Sequence, residues 1–164
     1  MVFIGIDPGV SGGIAWLDED GNVVRTVKMP ETDRDILTEL GAWLPARAVI
    51  ERVQAYSAPG RAMGAKSAFT FGGGFRALKM ALTACDIPYE EITPQSWQKF
   101  MSCRTKGDKN ISKAKAQQLF PSVKKITHAN ADALLIAEFC RRRHLQHPAE
   151  PASTQFVKPI EDDF

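Results

Sequence analysis

The sequence lacks a long apolar run. No segment comes near the about 20 consecutive apolar residues that a membrane-spanning helix requires. Lys28 and Pro30 follow the first apolar segments too soon for a secretory signal. We therefore expect no membrane segment, and the cytoplasm is the default location for such a chain.

Cysteine is scarce as well. The three residues Cys85, Cys103 and Cys140 are odd in number and show no Cys-x-x-Cys spacing. This pattern argues against a disulfide framework and against a cysteine zinc site, and it is typical of free thiols in a reducing compartment.

Net charge is also low, at +2, so the total does not indicate a nucleic-acid partner. The distribution is more informative, because eight Lys or Arg residues lie between positions 99 and 125 with Asp108 as the only acid among them. The acidic segment 161–163 hides this basic stretch in the sum. We expect the stretch to neutralise a phosphate backbone, and its candidate DNA-binding residues are Arg104, Lys106, Lys109 and Lys113.

What is present is enough for one domain with a substantial core. The chain has 164 residues, of which 44% are hydrophobic. We assign the domain to residues 1–147. Residues 148–164 contain three prolines and almost no periodic apolar signal, which predicts a disordered C-terminal tail.

Five short apolar segments are predicted to form strands. The first, Val2–Ile6, has no helical spacing and precedes a Pro-Gly turn, which is typical of a strand buried on both faces. Two more runs flank the turn signal at 18–22, so the first three strands form an antiparallel meander. The other strands are predicted at 48–50 and 88–92, and helices at 32–43, 67–85, 93–100, 111–120 and 129–143. This order predicts an α/β fold with one five-stranded mixed sheet and helices on both faces.

Three consecutive glycines, Gly72–Gly74, lie within the predicted helix 67–85. Glycine costs about 1 kcal/mol per helix position relative to alanine. The run therefore suggests either close approach of another backbone or simple fraying. The helix is apolar around much of its circumference, and one sheet covers only one side of it. Pairing of two copies of the chain through this helix would bury the other side.

Two of the predicted buried strands end in an acidic residue. Asp7 follows the first run, and Glu51 follows the short run Ala48–Ile50. Two parallel strands with a helical crossover would bring these carboxylates side by side. A buried charge is costly unless it is paired or bound to a metal, which favours a metal-binding role. The alternative for Asp7 is a cap of the Pro-Gly turn.

A second polar pair stands at the start of the last predicted helix. His128 and Asp132 are four residues apart, so they project from the same face of that helix. Asp132 is either a site residue or a helix cap, and His128 is either a site residue or a solvated loop histidine. Three carboxylates and a histidine in one place repel without cations, and oxygen ligands of this kind suit Mg²⁺ or Mn²⁺. Two such ions about 3.5–4 Å apart can drive phosphodiester cleavage.

Taken together, these features resemble the RuvC family of Holliday-junction resolvases, within the RNase H-like superfamily, and most of all its shorter phage and prophage members. The matching segments span most of residues 1–140: Gly5–Gly9, Val49–Glu51, Phe71–Gly73, Thr93–Lys99, Lys106–Lys109 and Asn130–Ala137.

The resemblance implies a crossover junction endodeoxyribonuclease with an RNase H-like fold. Asp7, Glu51 and Asp132 would bind two Mg²⁺ ions, with Mn²⁺ as a substitute. The family has one more acid, or a histidine, about a turn before the last Asp, and here that turn offers His128 or Asn130. The resemblance also implies a homodimer that cuts two strands of a four-way junction.

Three other functions stay open. An actin-like or sugar-kinase ATPase also begins with a strand and a D-x-G-x-S turn, but that fold needs a second domain. A junction-binding relative without catalysis would bind DNA without nicking it. A nuclease with a broad preference for branched or flapped DNA would share the chemistry and differ in substrate.

The chain departs from the family pattern at one position. The aromatic wedge that cellular members carry just after the corresponding glutamate is absent here, where Gln54 follows Glu51.

Overall fold

The computed structural model describes residues 1–52, 64–105 and 107–146, and it confirms the predicted mixed sheet. Its five strands are β1 (Val2–Asp7), β2 (Gly13–Leu17), β3 (Val23–Lys28), β4 (Ala46–Glu51) and β5 (Tyr89–Ile92). The sheet order is β3-β2-β1-β4-β5. Strands β1 to β3 are antiparallel neighbours, and β1, β4 and β5 run parallel to one another. Lys106, Gln54 and the tail 148–164 lie outside the described residues.

Five helices accompany these strands in the described part of the chain. They are α1 (Asp33–Gly41), α2 (Ala65–Ala84), α3 (Pro94–Phe100), α4 (Lys109–Leu119) and α5 (His128–Gln146). Within the described residues, none of the helices is both long enough and apolar enough to cross a membrane.

Side-chain caps explain where three of the helices begin. Thr32 accepts a hydrogen bond from Asp35 N at 3.1 Å, and Thr93 accepts one from Ser96 N at 3.3 Å. Helix α4 begins two residues before the predicted start at 111, because Asp108 accepts a hydrogen bond from Asn110 N at 2.9 Å. The prediction missed this cap because it considered Asp108 only as the one acid within the basic stretch 99–125.

Each face of the sheet has its own hydrophobic core. On one face, β-strand residues such as Phe3 and Val49 pack with α3, α4 and α5. On the other, residues such as Ile4 and Trp16 pack with α1 and α2. The predicted placement of helices on both faces is therefore confirmed.

Helix α5 lies directly against β1 because Gly5 has no side chain. A Cβ at Gly5 would lie 2.1 Å from Ala137 N and 2.2 Å from Ala133 O, which no real side chain tolerates. This close approach brings the first turns of α5 near the ends of the central strands.

Helix α2 runs without interruption through its three glycines. Nothing among the described residues lies within 4 Å of a Cβ built at Gly72, Gly73 or Gly74. The same helix exposes large apolar side chains, with Phe69 86% and Met80 65% exposed. This part of α2 therefore presents an apolar surface that the other described residues leave uncovered.

Candidate active site

The ends of β1 and β4 bring two carboxylates together. Ile6 of β1 is paired with Ile50 of β4 in the parallel register, and the next residues are Asp7 and Glu51. The two side chains therefore leave the sheet at the same end, as the sequence predicted. Residues 8–12 fold back over Asp7, since a Cβ at Gly12 would lie 2.8 Å from Asp7 Cγ.

The third carboxylate comes from α5. Asp132 lies in the second turn of that helix, and its negative charge raises the pKa of both Asp7 and Glu51. The structure thus brings together the three acids that the sequence singled out, from two strands and one helix.

All three carboxyl groups are shifted toward the protonated form. Burial, and then the charge of Asp132, raises the pKa of Asp7 to about 6. Burial, together with the charges of Asp7 and Asp132, raises the pKa of Glu51 to about 7. Burial also raises the pKa of Asp132. Negative charge is therefore concentrated in a desolvated place, which a cation would stabilise.

Lys109 is a cationic neighbour of the whole cluster. It is the first residue of α4, and its charge lowers the pKa of Asp7, Glu51 and Asp132. The sequence assigned this lysine to the DNA backbone, and its charge also acts on the three carboxylates. Lys113 lies one turn further along α4, half-buried, and Arg104 is exposed in the loop before it.

Sequence reasoning missed the contact between Glu51 and Trp97. The fully buried Trp97 donates a hydrogen bond from Nε1 to Oε2 of Glu51 at 2.6 Å. Its position in the Thr93–Lys99 segment was the available signal, because that segment follows the strand next to β4. The sequence pattern did not distinguish this tryptophan from an ordinary core residue.

A buried oxygen of Asp132 is unpaired. Its Oδ1 has no hydrogen-bond partner among the described residues, although it is shielded from solvent. A buried polar atom without a partner is costly, and a bound cation would satisfy it.

The residues present fit a hard divalent cation, although the site is not closed around one. Among residues 1–52, 64–105 and 107–146, no three His, Cys, Asp or Glu side chains converge closely enough to hold a metal ion. The donor set is rich in carboxylate oxygens, and together with the unpaired Oδ1 it suits Mg²⁺ or Mn²⁺.

His128 lies beside Asp132 at the first position of α5, and its charge lowers the pKa of that acid. Asn130, the alternative for the same role, is engaged elsewhere. Its Oδ1 accepts a hydrogen bond from Thr127 N at 2.7 Å, and its Nδ2 donates one to Lys125 O at 3.2 Å. Asn130 therefore fixes the turn before α5, which leaves His128 as the better candidate of the two.

No family model matches the chain, and no curated protein matches it. Solved structures do match. A structure of RuvC from Thermus thermophilus is 20% identical, with 84% of this chain and 91% of that chain covered and a TM-score of 0.60. RuvC of T. thermophilus in complex with a Holliday junction substrate is 18% identical, with 89% of this chain and 96% of that chain covered and a TM-score of 0.63. At these identities the likeness concerns the backbone: the chain has the RNase H-like fold of RuvC, a mixed five-stranded sheet between two layers of helices.

Proposed function

We propose that the protein is a metal-dependent, structure-selective DNA endonuclease that resolves four-way junctions by paired phosphodiester hydrolysis. The observation that carries this proposal is the cluster of Asp7, Glu51 and Asp132, three desolvated carboxylates with raised pKa values at one end of a rigid sheet. The likeness in fold to RuvC, which has been solved with a Holliday junction substrate, supports the choice of DNA. Among junction resolvases, the proposed type is the shorter one of phages and prophages, acting on DNA in the cytoplasm.

The proposed cofactor is Mg²⁺, with Mn²⁺ as a substitute and two ions per site. Such ions, when bound, supply an activated water and stabilisation of the leaving oxygen. Asp7, Glu51 and Asp132 are the proposed catalytic and metal-binding residues, with His128 as the fourth. The unpaired Oδ1 of Asp132 supports its role as a ligand.

Lys109 has a proposed role at the scissile phosphate. Its position beside all three carboxylates supports this, because a phosphate bound to the same ions would come within reach of the ammonium group. Arg104, Lys106 and Lys113 would hold the phosphate backbone on either side without reading its sequence. The enzyme would then select DNA by shape.

We also propose that the protein acts as a homodimer paired through α2. The exposed Phe69 and Met80, and the open space around Gly72–Gly74, support a close and apolar helix–helix contact. An isologous dimer would present two active sites to the two symmetric strands of one junction.

A cleavage panel tests the proposal. Four-way junction, fork, flap and duplex DNA are incubated with the protein in Mg²⁺, in Mn²⁺ and in a chelator. We expect paired nicks in the junction with either ion and none with the chelator. Preferential cutting of forks or flaps would identify a broader debranching nuclease, and tight junction binding without nicks would identify a non-catalytic binding protein.

A further inference from the structure

Trp97 contacts the proposed metal site from the core. It is completely buried, and its Nε1 lies 2.6 Å from Oε2 of Glu51. A hydrogen bond from a neutral donor to a carboxylate at this distance is among the stronger kinds that proteins form. It also fixes the orientation of the accepting side chain.

The backbone around Trp97 is held firmly. Ile92 of β5 is paired with Glu51 of β4, and Arg52 N donates to Ile92 O at 2.6 Å. The chain then turns at Thr93, which caps α3, and Trp97 follows in the first turns of that helix. Helix α3, which carries the indole, therefore follows directly on β5, and β5 pairs with β4 at Glu51. The same sheet thus fixes the positions of both the indole and the carboxylate.

We propose that Trp97 is a positioning residue for the metal site, holding Oε2 of Glu51 so that Oε1 is the oxygen offered to the cation. This inference rests on the proposed metal-binding function of Glu51. An unrestrained glutamate next to two other acids would rotate away from them. The indole N–H removes that freedom before a metal arrives, and it keeps the hydrogen bond after binding.

Trp16 offers a matched control. It is also completely buried, but it lies in β2 and belongs to the core on the opposite face of the sheet. Its Nε1 is buried and has no partner among the residues that the structure describes. Trp→Phe at either position removes the same atoms, and only at Trp97 does it remove a hydrogen bond to a carboxylate.

The first measurement needs neither metal nor DNA. Indole N–H resonances of metal-free protein are recorded by ¹H–¹⁵N NMR at pH 8.5. They are assigned with W16F and W43F, which leave the Trp97 resonance by elimination among the three tryptophans. Glu51→Gln replaces a charged acceptor by a neutral one, so we expect the Trp97 proton to move upfield while the Trp16 proton stays in place. An unmoved Trp97 resonance would overturn the proposal even if W97F failed to fold.

The second measurement is metal affinity. Partners of this kind typically change metal affinity by about 10–100-fold, so we expect W97F to weaken Mn²⁺ binding by at least about tenfold and W16F to leave it nearly unchanged. Mn²⁺ should broaden the Trp97 resonance of the wild type before that of Trp16. Equal affinities of W97F and W16F, or no broadening at Trp97, would contradict the proposal.

Failure of the proposed function is distinguishable from failure of this inference. If the wild type binds Mn²⁺ next to Trp97 and W97F weakens it, but no DNA is cut, the positioning role stands and the nuclease proposal fails. If junctions are cut, and W97F needs the same Mn²⁺ concentration as W16F, the nuclease proposal stands and the positioning role fails.

Discussion

Asp7 and Glu51 make the stability of the metal-free protein depend on pH. Burial raises the pKa of Asp7 from 3.8 to about 6 and that of Glu51 from 4.5 to about 7. Both groups therefore bind protons more tightly in the folded chain. This proton binding contributes to the free energy of unfolding. The contribution is fully present below about pH 4, and it is lost as the pH rises through about 6 for Asp7 and about 7 for Glu51, at about 1.4 kcal/mol for each unit of pKa shift.

Asp7→Asn should therefore stabilise the metal-free protein most at pH 8, less at pH 4.5 and hardly at all at pH 3. Thermal unfolding of the wild type and the variant at these pH values measures this directly. Mg²⁺ should raise the melting temperature of the wild type at pH 8 and have a smaller effect on the variant. A variant that is less stable than the wild type at pH 8 would show that the carboxylate is not repelled by its neighbours.

His128 is the second residue whose role can be tested by substitution. We expect His128→Ala to lose at least about tenfold in cleavage rate, or about 1.4 kcal/mol of barrier. His128→Asp should stay active, since it restores an all-oxygen site that suits Mg²⁺. Asn130→Ala is the control, because that amide bonds the turn at Thr127 and Lys125. Asn130→Ala should lower the stability of the protein without changing its metal requirement. Full activity of His128→Ala would show that His128 has no role in catalysis or metal binding.

The acids were predictable and their partners were not, for a physical reason. Asp7 and Glu51 end short buried strands, so local pattern alone indicates that they share one end of a parallel sheet. The contact of Trp97 with Glu51 joins residues 46 positions apart. It depends on β5 pairing with β4, which no local pattern encodes. The engagement of Asn130 with the turn before α5 likewise became visible only once the turn had a structure.

At the scale of single elements, Gln98 of α3 holds the loop between α3 and α4 by a hydrogen bond. The Oε1 of Gln98 accepts a hydrogen bond from Thr105 N at 3.3 Å, which ties the loop that carries Arg104 to α3. We expect Gln98→Ala to weaken junction binding because Arg104 loses a fixed position. Gln95→Ala, an exposed change on the same helix, should leave binding unaltered.

Salt dependence separates a loop effect from a lost contact. Arg104→Ala should reduce the slope of log affinity against log salt by about one. Gln98→Ala keeps the charge and should leave the slope nearly unchanged while lowering affinity. The same slope for the wild type and Arg104→Ala would mean that the DNA lies elsewhere.

Helix boundaries show how far element prediction reaches. The caps at Thr32 and Thr93 follow from residue type and position, and both are present in the structure. Helix α5 extends at least to Gln146, beyond the predicted end at 143, and His144 in this extension contacts Phe3 of β1, with ring centroids 5.4 Å apart. This contact between α5 and the central strand joins residues far apart in the chain, so the local sequence pattern did not indicate it.

At the scale of the whole molecule, the dimer depends on α2. Phe69→Glu should convert a dimer to a monomer at micromolar concentration, since it places a charge in the proposed apolar contact. The fold should survive, because Phe69 is 86% exposed in the single chain. Leu145→Glu is the control, at 55% exposure on α5, which covers the other face of the sheet. Sedimentation velocity distinguishes these results, and a wild type that sediments as a monomer would exclude the dimer.

The most direct test of the central claim is cleavage of a mobile four-way junction by the wild type and by Asp7→Asn in Mg²⁺. Asn keeps the size of the side chain and removes the charge that would hold the cation. We expect the wild type to make paired nicks, and Asp7→Asn to bind the junction with similar affinity but not to cut it. Cutting by Asp7→Asn at the wild-type rate would contradict a metal-dependent nuclease site at this end of the sheet.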